Sequence, residues 1–220
     1  IAVLMNLAIR NGALLYYFKY YVGDDGTAIF LIFDKTSVFL SLGLLAMVLG
    51  VTLTKTLSDR FEKRSLMIAL TLFNALSMAA FFFIPPEYYW LMVLVNCIGS
   101  FANGPTPALV WSMYADCADY GEWKSGRRTT GLVFSTVLFA QKMGLAIGAG
   151  LAGIILGIFG FVANEMQSEE ALFGIRFMFS IIPAMLAIAG TIAIFFYKID
   201  RKTIKQMEAD LAVVHAKRST

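Results

Sequence analysis

Six long apolar stretches run through this chain, and they restrict its possible folds more than any other feature. They cover roughly residues 1–22, 28–53, 65–84, 89–115, 130–161 and 171–197. A helix needs about 20 apolar residues to cross the hydrocarbon of a bilayer, and its backbone groups must be paired within the segment. The stretches do not alternate apolar and polar residues as barrel strands do. We therefore predict an all-α membrane protein with six transmembrane helices.

The composition excludes a single soluble domain. Of the 220 residues, 59% are hydrophobic and 15% are charged, whereas a soluble domain has about 45–50% apolar and about 25% charged residues. A chain of this size buries only about 70% of its unfolded surface on folding, so the excess apolar area belongs in lipid. We expect no signal peptide. Because the chain begins inside an apolar run, we expect a piece of a longer protein or a truncated product.

The basic residues fall mainly on alternate loops. Thirteen lie in the second–third loop, the fourth–fifth loop and the tail, whereas Lys19, Lys35 and Arg176 lie on the opposite side with most of the acidic loop residues. The positive-inside rule places the thirteen in the cytoplasm, so we expect both termini on the cytoplasmic side of the cell (inner) membrane. Residues 200–220 then form a cytoplasmic tail, with apolar spacing that suits an amphipathic helix on the membrane surface. His215, the one histidine, has no cluster of ligands around it, so no metal site is predicted.

Two cations lie deep in the predicted spans. Lys142 is about twelve residues into the fifth span, near mid-membrane at about 1.5 Å per residue. A charge there costs at least about 2.5–3.5 kcal/mol unless it finds water or a partner. We expect Lys142 to face a cavity and meet a polar solute or a carboxylate, and a structural ion pair is the alternative. Arg10, with Asn6 and Asn11 nearby, is the second deep cation.

The fourth span is interrupted, first at Gly99 and again at the Asn-Gly-Pro-Thr-Pro sequence of residues 103–107. Prolines remove backbone donors, and the freed carbonyls of a broken helix can line a cavity, as they do at transport sites. Trp111 follows shortly afterwards and either stacks on a sugar ring or simply packs.

Small residues in the fifth span predict close helix packing. Gly144 with Gly148, and Gly153 with Gly157, have the spacing that lets two helices approach closely.

The predicted loop between the fourth and fifth spans carries Asp116 and Asp119. They share one face at a helix C-terminus, where the helix dipole disfavours anions. They therefore need cationic partners, and Arg127 and Arg128 are the nearest candidates. Such a network would close the cytoplasmic side in one conformation, and a solvated charged loop is the alternative.

Two motifs resemble a known family. The stretch from Met113 to Arg128 contains Asp-x-x-Asp-Tyr-Gly-Glu-Trp-x-x-Gly-x-Arg, and Phe139-Ala-Gln-Lys-Met-Gly follows it. Together they are similar to the glycoside–pentoside–hexuronide:cation symporters. The resemblance covers essentially the whole chain but only the second half of the family's twelve helices. It implies one half of a twelve-helix major facilitator fold, alternating access, and import of a sugar or glycoside with H⁺ or Na⁺.

The resemblance also implies residue roles. Lys142, preceded by Gln141, matches the lysine of the eleventh helix that faces the central cavity, and Asp116 and Asp119 match the cytoplasmic gate acids. The candidate cavity residues are Asn6, Arg10, Asn103, Trp111, Gln141 and Lys142, and the candidate gate residues are Asp116, Asp119, Arg127 and Arg128.

The predicted partners are the lipid bilayer, the N-terminal six-helix half and a small sugar or glycoside, and not nucleic acid. Most cation-binding carboxylates of the family lie in the N-terminal half, so no cofactor or metal site is predicted in this chain. The spans lack paired carboxylates or a Cys–His pair, so an enzyme is not expected. Two alternatives remain: a facilitator carrier for a non-sugar solute such as a lipid or organic anion, and a non-transporting membrane sensor or scaffold.

Overall fold

The protein is helical, as predicted. The computed structural model describes residues 1–30 and 32–218, and within them the extended backbone is limited to an isolated bridge between Phe30 and Phe33. The helices are α1 (Ala2–Tyr16), continued by a π-helical turn (Tyr17–Val22), α2 (Lys35–Thr52), α3 (Thr54–Arg60), α4 (Lys63–Ala80), α5 (Tyr89–Asn103), α6 (Thr106–Ser125), α7 (Thr130–Ile158), α8 (Glu169–Phe179), α9 (Ile181–Phe195) and α10 (Arg201–Arg218).

Three helical stretches of the described chain are long and apolar enough to cross a membrane. They are Lys35–Thr52, Thr130–Ile158 and Glu169–Phe195, and the last includes the break at Ser180 between α8 and α9. The other predicted spans correspond to helices that are shorter, interrupted or less apolar. The number of six spans therefore stays a prediction.

The second helix begins at Lys35 rather than at Ala28, where the apolar stretch begins. Asp34 accounts for this difference because its side chain accepts the Ser37 N–H at 2.7 Å and so caps the N-terminus of α2.

The fourth predicted span is divided where the prolines predicted a break. Helix α5 ends at Asn103 and α6 begins at Thr106, whereas the interruption expected at Gly99 is wrong because Gly99 lies within α5. Helix α6 continues to Ser125, so Asp116 belongs to a helix and not to the predicted loop.

Helix α1 packs against α7, α8 and α9, while α2 packs on α5 and α4 packs on α5 and α9. The main core consists largely of aromatic side chains at the junction of these helices. Its fully buried rings are those of Tyr17, Phe18, Phe39, Phe81 and Phe179.

Glycines bring α1 and α7 into contact. A Cβ atom on Gly144 would lie 2.7 Å from the carbonyl oxygen of Ile1, and one on Gly148 would lie 2.8 Å from the Ala8 Cβ. The close packing predicted for this pair is therefore confirmed. A Cβ atom on Gly153 or Gly157 would have no neighbouring atom of the described chain within 4 Å.

The tail helix α10 packs against α6. Its Met207 and Leu211 side chains are buried, and the Trp123 indole N–H donates to the Asp210 carboxylate at 2.9 Å. A helix is present where the sequence predicted one, and the protein itself covers these two apolar side chains. The predicted place of this helix on the membrane surface stays a prediction. The side chain of His215 lies outside the described part of the structure.

Asp200 precedes α10 and accepts hydrogen bonds from Thr203, which hold the pKa of the Asp200 carboxyl below its usual value. This contribution to helix stability is present above the ordinary carboxyl pKa and is lost as the pH falls through the lowered pKa.

Candidate functional site

A polar cavity of about 170 Å³ lies where α1, α4 and α5 meet. Its lining residues are amide, hydroxyl or guanidinium groups interspersed with apolar side chains, and none of these described residues is acidic. The polar lining consists of Asn6, Arg10 and Asn11 from α1, Asn74 and Ser77 from α4, and Asn96, Ser100 and Asn103 from α5. A carboxamide has two donors and one acceptor, so this lining matches a ligand rich in hydroxyl groups.

Arg10 is held at one side of this cavity by two aromatic rings. Its Nη1 donates to the Phe179 carbonyl at 2.9 Å. The guanidinium carbon is 4.2 Å from the centroid of the Phe179 ring and 5.0 Å from that of Phe81. Ring faces attract a cation by about 0.5–2 kcal/mol, and Arg10 makes no ion pair with the described residues. The cavity therefore carries a positive charge that is stabilised without a carboxylate from this part of the chain.

Three of the carboxamides in the cavity are already engaged within the protein. Asn6 Nδ2 donates to the Pro183 carbonyl at 2.8 Å and links α1 to α9. Asn96 Nδ2 donates to the Phe39 carbonyl at 2.9 Å and links α5 to α2. Asn103 Oδ1 accepts the Thr106 hydroxyl at 2.8 Å across the break between α5 and α6. These bonds fix the positions of the helices that surround the cavity.

Lys142 does not line this cavity. Its side chain is exposed on α7 and makes neither an ion pair nor a hydrogen bond with the described residues. The predicted alternative of an ion pair with a neighbouring helix is thus not seen in this part of the chain. Gln141 is half-buried beside Lys142 and also lies outside the cavity, so the substrate role of both residues stays a prediction.

Trp111 also lies apart from the cavity, on α6. Its ring is stacked on Phe134 of α7 with centroids 6.1 Å apart and an interplanar angle of 10°, and Tyr114 contacts it edge-on. The residue remains 43% exposed. Packing accounts for one part of the indole surface, and the rest is accessible.

Asp116 is the centre of a polar cluster beside the N-terminus of α4 and the C-terminus of α9. The Lys63 ammonium lies 3.0 and 2.7 Å from its two carboxylate oxygens, and the Tyr197 hydroxyl donates to it at 3.0 Å. The Asp116 side chain is only 10% exposed. This cluster joins α4, α6 and the segment after α9.

The cation beside Asp116 is therefore Lys63, and not Arg127 or Arg128 as the sequence suggested. A reason lies in the turn after α6, where Gly126 adopts a positive φ of 69° and ends the helix. Both arginines follow this turn and are exposed.

Asp119 and the two arginines have no side-chain hydrogen bond or ion pair with the described residues. Their charges are therefore accessible to a partner surface, and their predicted role in a gate stays a prediction.

Sequence reasoning missed Lys63, Tyr197, Asn74 and Asn96. Lys63 and Asp116 belong to different helices and are 53 residues apart, so no local spacing could pair them. The polar residues within the apolar spans were the available signal for the cavity, because polar groups in a membrane segment tend to face the protein interior.

The chain is similar to known transport proteins. A family described as MFS/sugar transport protein matches residues 1–201. A putative glycoside/cation symporter of Escherichia coli (strain K12) is 32% identical over 204 residues, which make up 92% of this chain and 43% of that protein. An isoprimeverose transporter of Lactiplantibacillus pentosus is 33% identical over 213 residues, which make up 96% of this chain and 42% of that transporter.

The relatives differ in length. The chain covers 69% of an uncharacterized 29.9 kDa protein of Pseudescherichia vulneris, to which it is 32% identical over 198 residues. It spans less than half of the two transporters named above.

Proposed function

The chain belongs to the MFS/sugar transport protein family, and on that premise we propose that it is the C-terminal six-helix half of a sugar or glycoside:cation symporter. The symporter works by alternating access in the cell inner membrane, with both ends of this half in the cytoplasm. The other half supplies the remaining six helices.

The observation that carries this proposal is the carboxamide-lined cavity between α1, α4 and α5. Its polar lining of five asparagines, two serines and one arginine suits the hydroxyl groups of a sugar. Its volume of about 170 Å³ is below the roughly 300–1,000 Å³ of complete ligand pockets. The cavity therefore forms one wall of the sugar site, and the N-terminal half completes it.

The lengths of the relatives support the assignment to one half of a transporter. This chain matches 43% of the glycoside/cation symporter and 42% of the isoprimeverose transporter. The cavity has no acidic residue among its described lining, so it offers neither a carboxylate that could take up a proton nor a negative charge that could pair with Na⁺. We therefore place the H⁺ or Na⁺ site in the N-terminal half.

Lys142 and the exposed charges of the cytoplasmic end act across the interface between the two halves. Lys142 faces the central passage and pairs there with a carboxylate or the solute. Asp119, Arg127 and Arg128 pair with the other half when the cytoplasmic side closes. Asp116 stabilises the packing of α6 against α4 at the cytoplasmic end, because its carboxylate accepts hydrogen bonds from Lys63.

A second candidate is a carrier for an organic anion. Arg10 lines the cavity and has no ion pair with the described residues, so an anionic solute would supply its missing counter-charge. The two candidates differ in the ligand that stabilises the protein.

A thermal-shift screen tests both candidates. It uses the intact protein, which contains both six-helix halves. The ligands are p-nitrophenyl glycosides of neutral sugars and a matched set of carboxylates, each in Na⁺ and in K⁺ buffer. A ligand at 100 times its Kd stabilises the folded state by about 2.7 kcal/mol, so binding raises the unfolding midpoint. We expect a neutral glycoside to raise it, and Na⁺ to increase the shift if Na⁺ is the coupling ion. A shift with carboxylates alone supports the second candidate, and no shift with any glycoside contradicts the first.

A further inference from the structure

We propose that Asn74 and Asn11 are the residues that contact sugar hydroxyls in the polar cavity, whereas the other asparagines shape it. This inference rests on the proposed sugar-transport function and goes beyond it, because it identifies the specificity-determining residues. It also gives the class of group that they bind, an uncharged hydroxyl pair on a sugar ring.

The carboxamides of the cavity form two classes. Asn6, Asn96 and Asn103 are each hydrogen-bonded to another helix or across a helix break. Asn74 and Asn11 line the same cavity, yet their carboxamides have no hydrogen bond with any described residue. Asn11 is exposed and Asn74 is half-buried, so both carboxamides are free to bind a group outside this part of the chain.

Asn74 is half-buried on α4, and its carboxamide is not sealed inside the protein. Among the described side chains, the fully buried polar atom without a partner is Arg176 Nε and not an atom of Asn74. The Asn74 Oδ1 is 4.0 Å from the position that a Cβ on Gly99 would occupy. Asn74 therefore lies in the cavity wall next to Gly99, and its side chain is partly accessible.

Gly99 lets α5 approach α4 closely beside Asn74. Gly99 is buried, and a Cβ at this position would lie 3.0 Å from the Ser77 Cβ and 3.3 Å from its hydroxyl oxygen. Both Gly99 and Ser77 line the cavity, so this contact fixes the wall of the cavity next to Asn74.

The chemistry of the open carboxamides selects the ligand class. Each offers an N–H donor and a carbonyl acceptor with fixed geometry, and a sugar hydroxyl both donates and accepts. Two adjacent hydroxyls on one ring therefore pair with a single carboxamide. A bare metal ion would leave the N–H donors unused, and an apolar solute would leave the whole group unpaired.

The test compares Asn74→Ala with Asn96→Ala in the intact protein. The readouts are the unfolding midpoint without ligand and the Kd of the p-nitrophenyl glycoside that stabilises the wild type. We expect Asn74→Ala to weaken binding about two- to tenfold, as for one neutral hydrogen bond, without lowering the midpoint, since no internal bond is lost. Asn96→Ala should lower the midpoint because the Phe39 carbonyl loses its donor.

A series of singly deoxygenated glycosides then identifies the hydroxyl. One of these glycosides lacks the hydroxyl that Asn74 contacts. For that glycoside, Asn74→Ala should cause no further loss of affinity, because the hydrogen bond to Asn74 is already absent. Asn11→Ala should show the same non-additivity at one position of the ring.

Three results would overturn the inference alone, and the first two concern affinity. They are wild-type affinity in Asn74→Ala, and additive losses at every deoxy position. A fall in the midpoint of Asn74→Ala equal to that of Asn96→Ala would also overturn it by showing a structural role. A wild-type protein that binds no glycoside would instead reject the proposed function and this inference together.

Discussion

Replacing Gly50 by alanine should separate α2 from α5 and destabilise the protein. A Cβ at Gly50 would collide with the carbonyl oxygen of Phe101, and one at Gly104 would lie 2.6 Å from the carbonyl oxygen of Met47. Because the obstructing atoms are backbone, no side-chain rotation relieves the clash. Overpacking of this kind costs up to about 3 kcal/mol, and the better helix propensity of alanine returns about 1 kcal/mol.

The expected net loss is therefore about 2 kcal/mol. At about 2–4 °C per kcal/mol for a domain of this size, the unfolding midpoint should fall by about 4–8 °C. The assay is fluorescence-detected size-exclusion chromatography after heating in detergent.

Gly150→Ala is the matched control, since no described atom lies within 4 Å of its Cβ position. Its midpoint should stay constant or rise. An unchanged midpoint in Gly50→Ala, or an equal fall in both variants, would refute the close approach of α2 and α5.

Three further substitutions test other parts of the structure. Lys142→Ala in the intact protein should abolish accumulation of the glycoside in proteoliposomes and leave the unfolding midpoint unchanged. Preserved accumulation would show that Lys142 has no part in the mechanism. Lys63→Ala should lower the free energy of unfolding by about 1–2 kcal/mol because the Asp116 carboxylate loses its cation. The control Lys55→Ala, at an exposed position, should stay within about 0.5 kcal/mol, and equal effects would argue against the ion pair. Met207→Ala should release α10 from α6, because it truncates a fully buried side chain. The release should appear as faster amide hydrogen exchange in α10, and unchanged exchange would contradict the packing of α10 on α6.

The helices could be predicted because the length of an apolar run decides whether it can span a bilayer. The family resemblance, carried by the motif from Asp116 to Arg128, is confirmed by the comparisons. The break before Thr106 was equally predictable, since proline removes backbone donors wherever it stands.

Local rules failed where a side chain acts on the backbone or where distant helices meet. The start of α2 depends on the Asp34 side chain, which caps the helix inside the apolar stretch of residues 28–53. The break at Ser180 between α8 and α9 was not predicted, although Pro183 follows three residues later and removes the N–H that would bond the Phe179 carbonyl.

The site was predicted only in part for the same reason. Asn6, Arg10 and Asn103 were expected at a cavity, and the structure places them together. Asn74 and Asn96 join them from α4 and α5, and a single sequence does not show which polar residues of separate helices face one another.

The central claim is that this chain is one half of a sugar:cation symporter, and counterflow of a radiolabelled glycoside in proteoliposomes tests it most directly. We predict saturable, gradient-dependent uptake by the intact protein. We predict none by the 220-residue chain alone, and recovery when the N-terminal half is reconstituted with it. Saturable uptake by the 220-residue chain alone, or no glycoside uptake by the intact protein, would contradict the claim.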